Sequence, residues 1–326
     1  MMRPRRNGDM VPRHSEAGFS LIEVMSALVI LAIALTAVFA TFISQQRSFT
    51  VQNRVAEMQQ NLRQAVEYIS RDIRQAGYGI PDNVAVPGTA NPAGITSIRS
   101  LYAIDNTTGP DQIYLLYMFD MDANQPPAVN TAAMAGTGSV NVDNTIGFLP
   151  TGGELVLITD ATTADLFQTT LAGGGVLTFG AGAYNTGHSK LYGVGPPPST
   201  VAKARFVRYF IDSTTDPSHP TLMVDRNIPG QGAQPVADDI EDMQLTYGLD
   251  TSAPADGIVD IWVPPGAVTP SQIRQVRLQL IARTRLPEAE WSEKRPALGN
   301  RPAGATPDGY RRRIYDIVID VRNSGV

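Results

Sequence analysis

From Phe19 to Ile43 almost every position is apolar, and Glu23 is the only charged residue among them. At about 1.5 Å per residue, a helix of this length can cross a hydrocarbon core of about 30 Å. Past Ile43 the pattern changes. Val51, Val55, Met58, Leu62, Val66, Ile69 and Ile73 recur at steps of 4, 3, 4, 4, 3 and 4, which places them on one helical stripe. Gln52, Arg54, Gln59, Asn61, Gln64 and Arg71 fill the other faces, and Glu67 with Arg71 offers an i,i+4 pair. No proline falls between Pro12 and Pro81, so the spacing predicts one helix over 19–76, roughly 85 Å long. Gly77, Gly79 and Pro81 then supply a cap and a breaker.

Beyond the helix the period falls to two. Strands are expected at 112–119, 154–159, 176–179, 204–211, 221–225, 243–249, 276–284 and 314–321, separated by turn residues. In the segment 276–284, Val276, Leu278, Leu280 and Ala282 alternate with Arg277, Gln279 and Arg283, so one face packs and the other is wet. The stretch 78–198 is rich in Gly, Ala, Thr and Pro and reads as a loop-rich β lobe, whereas 199–326 is more regular and reads as a second lobe. The fold class is therefore α+β, a long N-terminal helix packed on an antiparallel head. The segments are 1–18, 19–43, 44–77, 78–198 and 199–326.

Composition agrees: 43% hydrophobic and 17% charged residues argue against disorder, and 29 Gly with 24 Pro supply many turns. No cysteine is present, which removes disulfides and thiolate metal sites. Charge is uneven. Arg3, Arg5, Arg6 and Arg13 against Asp9 and Glu16 leave +2 in the first eighteen residues, so the total of −5 leaves −7 for the rest. An acidic body offers no footprint for nonspecific nucleic-acid binding, and the run Arg311, Arg312, Arg313 reads as a solvated strand end. Arginines before the apolar run predict a single-pass chain with its N-terminus cytoplasmic and its head periplasmic. A secretory signal with a cleavage site at Ala32, Ile33 and Ala34 is the competing reading. The length of the run, the acid near its start and the helical pattern continuing past it weigh against that.

A carboxylate in a membrane segment costs about 2.5 to 3.5 kcal/mol at the centre and calls for a counter-charge. Cleavage after Gly18 would create one: Phe19 would carry a new amine, and Glu23 would be the fifth residue of the trimmed chain. In a stack of staggered helices, one subunit's Glu23 would meet its neighbour's amine.

The block Gly18-Phe19-Ser20-Leu21-Ile22-Glu23-Val24-Met25 resembles the class III signal of type IV prepilins and type II secretion pseudopilins. That resemblance implies a leader cut by prepilin peptidase between Gly18 and Phe19, N-methylation of Phe19, and Glu23 as the assembly salt-bridge residue. Ser20 stands where Thr is commoner. Many major pilins have a proline in the membrane half, and this chain has none there. Later segments, 204–211, 222–226, 236–248 with Asp242, Gln244, Tyr247 and Gly248, then 256–260 and 276–285, resemble the succession in PilW-type minor pilins. The resemblance covers the first 80 residues and 200–326, and implies a pilin-like fold.

Catalytic motifs are not assembled. His14, His188 and His219 are far apart in sequence, and neither HExxH nor G-x-S-x-G occurs. Gly180 and Gly182 are followed by Asn185 where a dinucleotide fingerprint needs a small residue, so that run reads as a loop. Asp120, Asp122 and Asn124 begin like a calcium loop, but Gln125 and Thr131 occupy the positions of its Gly and Glu. Asp250, Asp256 and Asp260 frame a turn at Gly257 and form a second calcium candidate set, with a solvated turn as the favoured reading and no cofactor expected. Phe206, Tyr209, Phe210 and Tyr247 sit at strand spacing and read as core.

The expected role is that of a non-enzymatic minor pilin taking part in type IV pilus assembly, in a low-copy initiation or tip complex. Its expected partners are the inner membrane, prepilin peptidase, other major and minor pilins and a tip adhesin. A J-like type II secretion pseudopilin, or an adhesin exported by the pilin route, are the alternatives.

Overall fold

The computed structural model describes residues 18–81, 84–85, 100–119, 128–129, 138–160, 162–179, 190–195, 198–228, 230–266 and 268–323. Helix α1 runs Leu21–Gln75. Its end follows the sequence: Gly77 adopts φ +81° and Gly79 φ +69°, a left-handed conformation that glycine enters without steric cost. The expected Glu67–Arg71 pair is not formed. An exposed i,i+4 pair gains only a few tenths of a kcal/mol, too little to hold two long side chains together.

The strands follow as β1 (Val84–Ala85), β2 (Leu101–Ile104), β3 (Gln112–Met118), β4 (Ser139–Asn141), β5 (Leu155–Thr159), β6 (Ala164–Gly173), β7 (Val176–Phe179) and β8 (Thr200–Asp212). After them come β9 (Thr221–Asp225), β10 (Gln234–Ala237), β11 (Ile240–Leu249), β12 (Ile261–Val263), β13 (Ile273–Arg283), β14 (Glu293–Lys294), β15 (Pro307–Asp308) and β16 (Arg312–Asp320). A ten-stranded sheet has the path β10-β9-β8-β5-β6-β7-β4, with β3 also on β8, β2 on β3 and β1 on β6. A second sheet has the order β12-β11-β13-β16, wholly antiparallel. All pairs but the parallel β1–β6 are antiparallel, as alternation predicts.

β8 is shared. Its residues 200–203 pair with β5, 204–209 with β3 and 208–212 with β9. The ten-stranded sheet thus draws strands from both sides of residue 198, and the expected division there does not coincide with a change of sheet. That change comes between β10 and β11.

Two compact units emerge, one up to Asn53 and one from Arg54 on. In the first, every described residue but the half-buried Val51 is exposed. In the second, Met58, Leu62, Ala65, Val66, Ile69 and Ile73 of α1 pack with residues of β2, β3, β8, β9, β11, β13 and β16 in one large core. Smaller clusters fill β4 to β7, around Phe167 and Phe179, and the other face of β3 and β8, around Tyr114 and Phe206. Stacking of Phe167 on Phe179, with centroids 4.5 Å apart, adds to the burial there.

Candidate assembly site

Gly18, Phe19 and Ser20 precede α1 and are exposed. Ser20 caps the helix: the Glu23 N–H donates to its carbonyl at 3.1 Å and lies 3.3 Å from its hydroxyl oxygen. Serine followed three residues later by glutamate is the spacing of a capping box, and Glu23 stands in the first turn, where the helix end favours a negative charge. This second task for Glu23 was readable from the spacing and was missed. Among the described residues its carboxylate has no ion-pair partner.

Around it the helix is apolar on every side, with Leu21 80% and Ile33 66% exposed. It is long and apolar enough to cross a membrane. Its few hydroxyls are returned to the backbone, Thr36 donating to the Ala32 carbonyl at 2.8 Å and Thr41 to that of Ala37 at 2.9 Å. Such bonds satisfy these hydroxyls within the helix, as an apolar surrounding requires.

Within the second unit, α1 is locked to the sheets by a buried acid. Asp72 accepts hydrogen bonds from the hydroxyls of Tyr209 at 2.6 Å and Tyr117 at 3.2 Å. Burial, with the Asp72 charge beside it, pushes the Tyr117 hydroxyl up to about 12, and the same causes raise Tyr209. Both phenols therefore remain donors. Asn61 adds a bond to the Asp238 carbonyl at 3.1 Å, and the Gly77 N–H donates to Leu116 at 2.9 Å. An acid beside Ile69 and Ile73 was the sequence signal for this contact.

The three acids of the later turn do not converge. Asp250 is buried and accepts from the Gly257 N–H at 2.8 Å and the Arg274 guanidinium at 3.1 Å. Burial opposes its ionisation, but these bonds prevail and hold its carboxyl below the usual range. Asp260 takes the Thr251 N–H at 2.7 Å, and Asp256 takes the Ile258 N–H at 2.9 Å. Each is spent on the loop's own backbone. Among the described residues no three His, Cys, Asp or Glu gather as metal ligands. The earlier acidic candidate, Asp120, Asp122 and Asn124, lies outside the described residues, as do Gly180, Gly182, Asn185, His14 and His188. His219 is held by Asp239, Nδ1 to Oδ1 at 2.9 Å.

The arginine run 311–313 departs from its expected solvated state. The Arg312 side chain is 1% exposed and clamps Glu241 at 2.6 Å and Asp308 at 2.6 Å. Arg311 forks onto Glu288 at 2.8 and 3.0 Å and lies over the Trp291 ring. Arg313 alone of the three is exposed. The acidic partners come from distant segments, so the run gave no hint of them.

Residues of the later resemblance prove architectural. Asp242 is fully buried between Arg295 and Arg301, each at 3.0 Å. Gln244 donates to the Gly109 carbonyl at 3.0 Å, and Arg283 to the Ser218 carbonyl at 2.7 Å. A Cβ on Gly248 would stand 3.0 Å from Val259 and 3.1 Å from Trp262, so any larger residue would press these side chains off the strand. Phe206, Tyr209 and Tyr247 are buried, as their spacing predicts.

Residues 208–323 match the family model described as type IV pilus-assembly protein W, and residues 13–39 match the prokaryotic N-terminal methylation motif. Among solved structures, a type IV-like pilin from Thermus thermophilus is similar at 10% identity, over 82% of this chain and 96% of that one, with a TM-score of 0.38. No curated protein matches. The prepilin motif and the apolar helix behind it fit anchoring in the inner membrane, and the clamps around Asp242 and Arg312 lie inside the region that is similar to type IV pilus-assembly protein W.

Proposed function

We propose that this chain is a structural subunit of type IV pilus assembly, cut between Gly18 and Phe19, methylated on Phe19 and placed in a low-copy initiation or tip complex. The observation that carries the reading is the first turn of α1: Glu23, without an ion-pair partner among the described residues, stands five residues past Gly18 on a stretch of helix apolar all round. Such a surface needs lipid first and other apolar helices later, and the lone acid needs a cation that a neighbour's trimmed N-terminus supplies. The arginines of the leader hold it on the cytoplasmic side, leaving the head periplasmic until extrusion. No catalytic role is assigned to any residue, and calcium is not assigned to Asp250, Asp256 and Asp260.

A head of roughly 250 residues is bulky for a unit repeated along a shaft, which favours the low-copy position. Coexpression with a prepilin peptidase provides the test. Gly18→Val abolishes the mobility shift of leader removal, whereas Glu23→Val is cut normally but is lost from purified filaments. Normal incorporation of Glu23→Val refutes the pairing, and uniform immunogold labelling along the shaft refutes the low-copy position. A secretion defect with normal pili on deletion of the chain would point to the pseudopilin reading instead.

A further inference from the structure

A groove of about 720 Å³ opens between the last turns of α1 and the edge strand β16. Arg63, Arg71, Arg74 and Arg322 line it, with Glu67 as the single acid. Among the described residues none of the four arginines is in an ion pair, whereas neighbouring Arg277, Arg311 and Arg312 all are. Ser70 also lines the groove; it is 4% exposed and its hydroxyl has no hydrogen-bond partner. Four exposed arginines against one acid leave the groove net positive, which suits an anionic occupant. Arginine presents a planar fork suited to carboxylate.

The groove has a second property. Among the described residues β16 pairs with β13 alone, so the alternate backbone groups on its other edge have no strand partner, and Tyr315 and Ile317 of that strand form a groove wall. An open edge is a template for an added strand. We propose that this groove receives an extended acidic segment of another pilus subunit, which adds to the edge of β16 and sets its carboxylates against the arginines of α1.

The spacings agree. Arg63 and Arg71 are eight helical residues apart, about 12 Å, and four residues of extended chain cover about 13 Å. Carboxylates four residues apart therefore meet Arg63 and Arg71, and Arg74, about 4.5 Å of helical rise past Arg71, flanks the second of them. A nucleic acid fits less well, because a long polyanion also feels the net −5 of the whole chain, while a short segment feels the groove alone.

The test uses the full chain in detergent micelles at low salt. A labelled decapeptide with Glu at every fourth position among Val and Thr is titrated in and followed by fluorescence anisotropy. Saturable binding is expected, weakened at least tenfold in R71E/R74E and about threefold in R71Q/R74Q, and unchanged in K294E, which reverses an exposed cation of β14 outside both the groove and β16. Circular dichroism confirms that the variants are folded. A peptide of the same charge with N-methylated backbone should lose at least tenfold. Equal binding of the methylated peptide overturns strand addition. Tighter arginine-dependent binding of oligo-dT or of phosphatidylglycerol vesicles overturns the acidic segment as occupant. The proposal rests on the assembly reading only for the source of the segment: peptide binding by uncut protein or by Glu23→Val does not depend on processing, so the two can fail separately.

Discussion

The two halves of α1 use the same residues to opposite ends. Ile33 is 66% exposed, while Ile69 and Ile73 are fully buried, yet all three belong to one helix. In the second half the apolar residues keep to a stripe, polar side chains take the other faces, and the chain supplies its own sheets as cover. In the first half apolar residues occupy every face, so no single neighbouring sheet could cover them. Distribution around the axis, more than hydrophobicity itself, separates a helix that folds with its own chain from one that needs lipid or sister helices.

Substitutions that treat the halves alike should therefore give unequal results. Ile69→Ala leaves a hole in the main core and should lower head stability by about 4 kcal/mol, read from urea unfolding of the protein in micelles. A smaller effect, confined to the head, comes from pH. Asp111 is buried where β3 meets β11, accepting the Asn106 N–H at 2.8 Å and the Leu245 N–H at 2.9 Å. Burial, outweighing those bonds, pushes its carboxyl from 3.8 up to about 7. Between those values only the folded chain holds the proton, so stability is full below the lower value and falls as pH rises through the upper one. The loss should be on the order of 3 kcal/mol, and Asp111→Asn should flatten the profile of unfolding midpoints between pH 4 and pH 8. Asp72→Ala strands two buried phenol groups and should cost about 2 kcal/mol, with Asp72→Asn milder because its amide oxygen still accepts. At the other extreme, Leu28→Ala should change head stability by less than about 0.5 kcal/mol. A larger loss would show that the first half is not independent of the head's core.

How much of this was legible follows the range of each interaction. The helix was read to within two residues at its start and one at its end, because period, proline absence and the glycines at 77 and 79 are local facts. Strands 176–179 and 221–225 were read as they stand. β8 was read as 204–211 although it spans Thr200–Asp212, because its first residues alternate only against β5, which sequence does not bring beside them. β6 was missed, since buried Asp165 and the threonines at 169 and 170 obscure its alternation. β10 was hidden by Pro235, which an edge strand tolerates. The ion pairs were least legible. Arg312 meets Glu241 across 71 residues and Arg295 meets Asp242 across 53, so each appeared as a charge with nothing to balance it.

β8 carries one more implication. Because a single thirteen-residue strand belongs to three neighbours at once, the regions before and after residue 198 have no seam along which either could melt first. The head should give one calorimetric transition, with van't Hoff and measured enthalpies equal, and a protease should find its first cut elsewhere than within Thr200–Asp212. A head built this way is either whole or unfolded, with no half-melted form between.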